Sequence, residues 1–314
     1  MAGKINLENF ASKLSAKPIY IELYKLNVYG VGDFFKTHKD TPRSDTTFGS
    51  LIVVFPTSHE GGILLLRHGG QEWSFDSAAL IKETQPSIAY VAFYSDVEHE
   101  ITPVTRGHRI TLTYNLYFAD VADDDATAKP LPAVIPAGVE MHFNEKLAAA
   151  LADNTVLPSG GYLGFGLSHA YPVSVKTDPS KMMNCLKGND AVIQRACIRH
   201  SLQSFLRVVY TAPDEDENGI IQFYLMDHIV DWFGNSEGES VGSFLVSAGG
   251  KQVDVTGLNG LYDCGQVEDG GSAETLDVSW VADLTTFAGI ETSYIAYGND
   301  ARIDHVGYTN FISR

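Results

Sequence analysis

The sequence predicts a mainly β fold with flanking helices, a sandwich or barrel of antiparallel strands. Three observations point that way. Residues 19–118 hold six or seven short runs rich in β-branched and aromatic residues, with turn signals between them and almost no helical spacing. The chain is rich in glycine and ring side chains, with 29 Gly, 15 Tyr and 16 Phe, which favours strands and tight turns. Hydrophobic residues make up 44% and charged ones 19% of 314 residues, enough apolar material for a sizeable core.

The elements follow in order. Residues 5–16 (INLENFASKLSA) have the spacing of a short amphipathic helix, with Asn6 or Asn9 near its start. IYIELYKLNVYG (19–30) alternates as a strand does. TFGSLIVVFP (47–56) is a nearly continuous apolar run closed by proline, the mark of a strand buried on both faces. GGILLLRHGGQEWSF (61–75) reads as two strands around the Gly69-Gly70 turn. SIAYVAFYSD (87–96), EHEITPV (98–104) and HRITLTYNLYF (108–118) are three further strands, with a turn over 105–108. Residues 119–138 are acidic and bear prolines, as a surface linker does. HFNEKLAAALADN (142–154) is helical by composition and spacing. GGYLGFGLSHAYPVSV (160–175) returns to strand, and residues 181–202 read as two helices broken at Gly188. FLRVVYT (205–211) and IIQFYLM (220–226) flank a solvated acidic loop, and the remainder alternates short strands with Gly-rich turns. No clean linker divides the second half. The expectation is therefore one elaborated domain over 1–314, a β core at 19–118 and residues 119–314 packed on it.

Charge narrows the function. The formal net charge of −17 disfavours binding to nucleic acid or to an anionic membrane. The N-terminus lacks a secretory apolar stretch and no window approaches 18 apolar residues, so a cytoplasmic protein is expected. Cys185, Cys197 and Cys264 lie far apart, without metal-site spacing, and read as reduced thiols. There is no GxSxG elbow, P-loop or HExxH helix.

What remains is His38-Lys39-Asp40, a His-x-Asp triplet in an extended stretch. On a strand, residues i and i+2 share a face, so His38 and Asp40 point inward together and Lys39 outward. One more histidine completes the two-His, one-carboxylate set that leaves positions open on non-haem Fe(II). His59, His68, His99 and His108 all lie in the strand-rich half. His99 is followed ten residues later by Arg109, inside an apolar strand. A buried arginine calls for an anion, either a dicarboxylate in its guanidinium fork or a protein partner such as Glu98 or Glu100. In a flat hairpin, Arg109 would lie about 16 Å from His99, too far for a five-carbon diacid. The pairing works only if the chain crosses between two sheets, as in a jelly roll.

VYGVGDFFKTHKD, the EGG at 60–62 and VEHEITPVTRGHR together resemble the prolyl 4-hydroxylase type of 2-oxoglutarate/Fe(II) dioxygenase, most closely its fungal members, over residues 20–118. GGYLGFGLSHAYPV, LKGNDAV and the YGND at 297–300 are similar to the same fungal set, with no assigned chemistry. The resemblance implies a distorted double-stranded β-helix (jelly roll). It implies His38, Asp40 and His99 as iron ligands and catalytic residues. It assigns Arg109 to the distal carboxylate of 2-oxoglutarate, with Tyr29 and Thr111 assisting. A polar Thr often follows the Gly-Gly in this family; here Ile63-Leu64-Leu65 follows, and that contact is lost. Arg43, Ser44 and Arg106 read either as solvated turn residues or as contacts at the pocket mouth.

The activity implied is an Fe(II)- and 2-oxoglutarate-dependent oxygenase that uses O2 to oxidise an unactivated C–H bond. Its substrate is a small molecule or an amino-acid or peptide side chain. No recognisable peptide-binding loop is present. A non-catalytic jelly-roll binding module and an iron cupin-type enzyme without 2-oxoglutarate are the alternatives.

Overall fold

The computed structural model describes residues 19–81, 87–118, 138–157, 160–173, 177–213, 221–230, 240–254, 276–282, 284 and 308–313. The helix expected over 5–16, the acidic stretch after Phe118, Cys264 and the YGND segment lie outside the described residues. The chain divides into two compact units, 1–135 and 136–314. The boundary falls inside the stretch read from sequence as a linker. Among the described residues no helix is long and apolar enough to cross a membrane.

Among its described residues the first unit holds ten strands: β1 (Ile19–Tyr29), β2 (Phe35–His38), β3 (Thr47–Val54), β4 (His59–Gly61), β5 (Leu64–His68), β6 (Gln71–Phe75), β7 (Ala89–Tyr94), β8 (Glu98–Ile101), β9 (Val104–Gly107) and β10 (Arg109–Phe118). They form two four-stranded sheets, ordered β1-β10-β3-β7 and β2-β8-β5-β6, and a β4-β9 pair. Ile52, Val54, Ala89, Val91 and Phe93 of the first sheet share one core with Leu64, Leu66 and Ile101 of the second. This is the jelly roll: two antiparallel layers closed on a common apolar filling. β5 and β6 meet at Gly69-Gly70, both at positive φ, as the double glycine requires.

Two local expectations change. Of the stretch 105–108 read as a hairpin turn, residues 105–107 belong to strand β9, paired with His59–Gly61. It carries the chain from β8 in one sheet to β10 in the other, the crossing that the His99–Arg109 pairing needs. A single turn of helix, α1 (Ser77–Leu80), was not foreseen. Asp76 caps it, accepting from the Ala79 N–H, a local Asx signal too short to show helical periodicity.

One face of the first sheet organises the site. Paired residues in neighbouring strands point the same way. Tyr29 lies opposite Arg109, Asn27 opposite Thr111, and Lys25 opposite Thr113. Thr111, Thr113 and Asn115 continue across to Val54, Ile52 and Ser50, and these to Ala89, Val91 and Phe93. A bulge at Tyr24 shifts β1 between Leu23 and Lys25, bending the edge strand.

The second unit holds helices α2 (Gly138–Ala152), α3 (Pro179–Met182), α4 (Gly188–Arg199) and α5 (Val241–Ser247). Strands β11 (Tyr162–Gly166), β12 (Gln203–Pro213), β13 (Ile221–Met226), β14 (Lys251–Asp254), β15 (Leu276–Ala282) and β16 (Tyr308–Ser313) close a barrel in the order β11-β15-β14-β13-β12-β16. The hairpin expected from FLRVVYT and IIQFYLM is β12-β13. The strand expected over 160–175 is limited to β11. Past Gly166 the chain is held instead by Asp190, in the first turn of α4. Its buried carboxylate accepts from the Ser168 and His169 N–H groups and the Tyr171 hydroxyl. Gly188 breaks the helical run by starting α4 at φ +55. α5, in a region read as strands and turns, starts at Ser240, whose hydroxyl accepts from the Ser243 N–H.

Candidate functional site

β2 delivers His38 and β8 delivers His99; the two residues are cross-strand partners, and their ring centroids lie 4.1 Å apart. Asp40 does not sit on the strand as expected, because β2 ends at His38. It reaches the site from the loop beyond, and Ser50 of β3 holds it there. The Ser50 hydroxyl donates to Asp40 Oδ2 at 2.5 Å. The other oxygen, Oδ1, lies 3.9 Å from His38 Nε2 and 3.7 Å from His99 Nε2. The donor atoms of all three residues fall within 4.8 Å of one another.

Both imidazoles are oriented by the backbone. His38 Nδ1 donates to the Lys36 carbonyl at 2.9 Å, and His99 Nδ1 to the Val97 carbonyl at 3.1 Å. A carbonyl can only accept, so each Nδ1 carries the proton and each Nε2 offers its lone pair towards Asp40. His99 is 6% exposed. Burial holds its imidazole below the usual histidine pKa, against the pull of the Asp40 carboxylate. The neutral form, the one that binds metal, is thereby favoured. Phe93 packs at 4.6 Å on the His99 ring, and Phe35 at 4.5 Å on His38. Two imidazoles and one carboxylate suit a divalent iron that must accept further ligands.

Arg109 is 0% exposed, and among the described residues its Nε, Nη1 and Nη2 have no hydrogen-bond partner. Glu98 and Glu100, the protein partners the sequence allowed, are bound instead to Arg67. Burial lowers the Arg109 pKa, and the neighbouring Tyr29 only partly offsets it. A guanidinium stays charged even so. Three buried nitrogen donors in this state suit the binding of an anion. Its surroundings fit. Tyr29 lies under the guanidinium, 5.7 Å from its ring centroid. Burial raises the Tyr29 pKa, keeping the phenol a hydrogen-bond donor. Thr111, 1% exposed and two residues on, shares the face. Gly62 makes the room: a Cβ there would stand 2.8 Å from Arg109 Cδ, and its φ of +65 also favours glycine.

The structure thus brings His38, Asp40 and His99 together on the second sheet and the loop after it, and Tyr29, Arg109 and Thr111 together on the first sheet, whose Ser50 holds Asp40. Of the three residues placed at the pocket mouth, Ser44 is bound to Thr46 and Thr47, Arg106 to Glu60, and Arg43 lies over the Tyr24 ring. Sequence reading missed Ser50 and Asn27. Ser50 interrupts the apolar run TFGSLIVVFP, a signal that could have marked it. Asn27 donates to the Thr111 and Thr113 hydroxyls at 3.4 and 3.1 Å; nothing in the sequence separates it from an ordinary strand residue.

A jelly roll with this donor set suits a divalent iron that keeps open positions. Residues 24–117, less than a third of the chain, match the family model "2OG-Fe(II) oxygenase superfamily". Members of that superfamily use Fe(II), 2-oxoglutarate and O2. No curated protein matches the chain. Among solved structures, it is similar to an oxidoreductase of the 2OG-Fe(II) oxygenase family from Burkholderia pseudomallei. There the identity is 18% and the TM-score 0.26, over 32% of this chain and 43% of that one. For a Pseudomonas putida prolyl-4-hydroxylase the values are 23% and 0.25, over 35% and 56%. For the capsular polysaccharide assembling protein CapF of Staphylococcus aureus they are 11% and 0.17, over 33% of each chain. The match spans less than two thirds of each of these chains. None of them is fungal, and the expected likeness to fungal members finds no support.

Proposed function

We propose that the protein is an Fe(II)- and 2-oxoglutarate-dependent oxygenase acting on a small molecule or on an amino-acid or peptide side chain. The observation that carries this is Arg109, buried without an acceptor on the sheet face that also bears Ser50, the residue holding Asp40. His38, Asp40 and His99 are the iron ligands in this reading. Arg109, Tyr29 and Thr111 receive the distal carboxylate of 2-oxoglutarate. When bound, iron supplies the oxidation of an unactivated C–H bond, coupled to decarboxylation of 2-oxoglutarate to succinate and CO2.

The protein's own residues do the rest. The Lys36 and Val97 carbonyls fix both histidine tautomers, and Ser50 keeps one carboxylate oxygen occupied so that the other faces the imidazoles. Arg109 and the Tyr29 phenol orient the co-substrate by charge-assisted hydrogen bonds, and Phe93 and Ile52 keep water from that face. Purified protein should bind one Fe(II) and form succinate from 2-oxoglutarate. Replacing Asp40 with Ala should abolish both. An Asp40→Ala variant with undiminished succinate production overturns the reading.

A further inference from the structure

The face of the first sheet that carries Arg109 and Ser50 bears a further charged side chain, which the proposed iron and 2-oxoglutarate sites do not use. Lys25 lies opposite Thr113, two residues from Asn27 and four from Tyr29, and so points to the same side. Its Nζ stands 4.9 Å from the Tyr24 ring centroid and 5.3 Å from that of Phe35. Phe35 in turn packs on the metal-site histidine His38. Lys25 is near enough to that site for its charge to act on His99. The Arg43 guanidinium covers the same Tyr24 ring at 4.3 Å.

Two cations therefore meet on one aromatic ring beside the metal site. Among the described residues, neither has a carboxylate within ion-pair distance. Arg67, Arg106 and Arg195 all do, as expected in a chain with 39 acidic residues against 22 basic ones. Aromatic rings satisfy a cation only in part, so both side chains keep donors to offer an anion. The distal carboxylate of 2-oxoglutarate is not that anion. Lys25 stands about 13 Å along β1 from Tyr29, at about 3.3 Å per residue, beyond a five-carbon diacid anchored at Arg109.

We infer that the oxidised substrate carries a carboxylate, received by Lys25 and Arg43, with its apolar part against Phe35 and Tyr24. The inference rests on the oxygenase reading of the same site and names its substrate class. Lys25 and Arg43 are thus specificity-determining residues.

The test uses protein loaded with Zn(II) and 2-oxoglutarate, which does not turn over. It is titrated by calorimetry with matched acid and amide probes: N-acetylglutamate against N-acetylglutamine, and benzoate against benzamide. A hexapeptide with one Glu against its Gln counterpart separates an acidic peptide from a free acid as the source. At least one acid should bind about 10-fold more tightly than its amide, the preference shrinking with added salt. Lys25→Gln and Arg43→Gln should each remove most of that difference; both side chains are solvent-accessible, so folding is not at stake. Acid and amide behaving alike across the panel, including neither binding, overturns the inference. So does a Lys25→Gln variant that keeps the preference, or one that weakens only 2-oxoglutarate. If 2-oxoglutarate fails to bind the unaltered protein, the oxygenase reading falls. The acid-over-amide comparison is then made on the Zn(II) protein alone and stands or falls by itself.

Discussion

Arg109→Met separates a binding arginine from a structural one. The substitution keeps the aliphatic stem and roughly the volume, but removes three buried donors that have no acceptor. In a structural ion pair, deleting one partner strands the other and destabilises by about 3–5 kcal/mol. Here no partner is stranded, because Glu98 and Glu100 are held by Arg67. Relief of the buried charge should leave stability unchanged or raise it. Affinity for 2-oxoglutarate should fall sharply. Two charge-assisted hydrogen bonds at about 1.5–3 kcal/mol each amount to about 3–6 kcal/mol, a loss of at least 100-fold. Thermal unfolding followed with and without 2-oxoglutarate reads both effects at once. At a co-substrate level about 100 times the dissociation constant, the unaltered protein should gain about 2.7 kcal/mol. The variant, bound at least 100-fold more weakly, should gain at most about 0.4 kcal/mol at that level, while its midpoint without co-substrate stays level or rises. A variant that unfolds several degrees earlier and still responds to 2-oxoglutarate would refute the reasoning.

Three other perturbations follow from the same geometry. Ser50→Ala removes the donor to Asp40 Oδ2 and should weaken Fe(II) binding about 10- to 100-fold with little change in fold, measured by metal titration. Gly62→Ala drives a methyl to 2.8 Å from Arg109 Cδ at a φ of +65. It should cost about 1–2 kcal/mol in chemical denaturation and also weaken 2-oxoglutarate binding. Glu100 accepts from Thr37 and Arg67, which hold its carboxyl below the usual glutamate pKa, the Thr37 bond most of all. A depressed folded pKa means stability that is present above pH about 4.5 and lost as pH falls through the folded value. Removing the Thr37 hydroxyl (Thr37→Val) should flatten that acid limb, and an unchanged denaturation profile from pH 2 to 5 would count against it.

How much of this was legible beforehand differs from strand to strand. β5 and β6 were plain, since Gly69-Gly70 between two apolar runs leaves few alternatives. β9 was not: Val104–Gly107 is four residues with arginine and glycine in it, and only tertiary pairing with His59–Gly61 makes it a strand. Asp40 was read correctly as a neighbour of His38 but for an incomplete reason. Strand periodicity does not bring it inward; Ser50, ten residues on, holds it there. The missing acceptor at Arg109 was visible only as an apolar strand with an arginine at its start. In the second unit, the hairpin β12-β13 follows from its apolar runs. α5 was missed because VGSFLVS is β-prone by composition, and its helix rests on the Ser240 cap and on packing around Leu245.

β10 shows why pattern alone stops short of the site. In RITLTYNLYF the apolar residues Ile110, Leu112 and Tyr114 alternate with Arg109, Thr111, Thr113 and Asn115. The ordinary reading turns the apolar set inward. The strand does the reverse: Arg109 and Thr111 are the fully buried pair, and Ile110, Leu112 and Tyr114 are only half-buried. A slip of one residue would restore the ordinary alternation and carry every site residue of β10 to the far face. The register is held instead by specific contacts. Asn27 ties Thr111 and Thr113 to β1. The Arg109 stem fits the gap at Gly62, and Phe118 stacks on Phe48 at 4.4 Å beyond a bulge that reverses the parity. A strand that sets polar groups against the core in this way gives up hydrophobic stabilisation. Under the proposed function, binding explains the trade: the inward polar row would be the floor on which co-substrate and substrate are oriented.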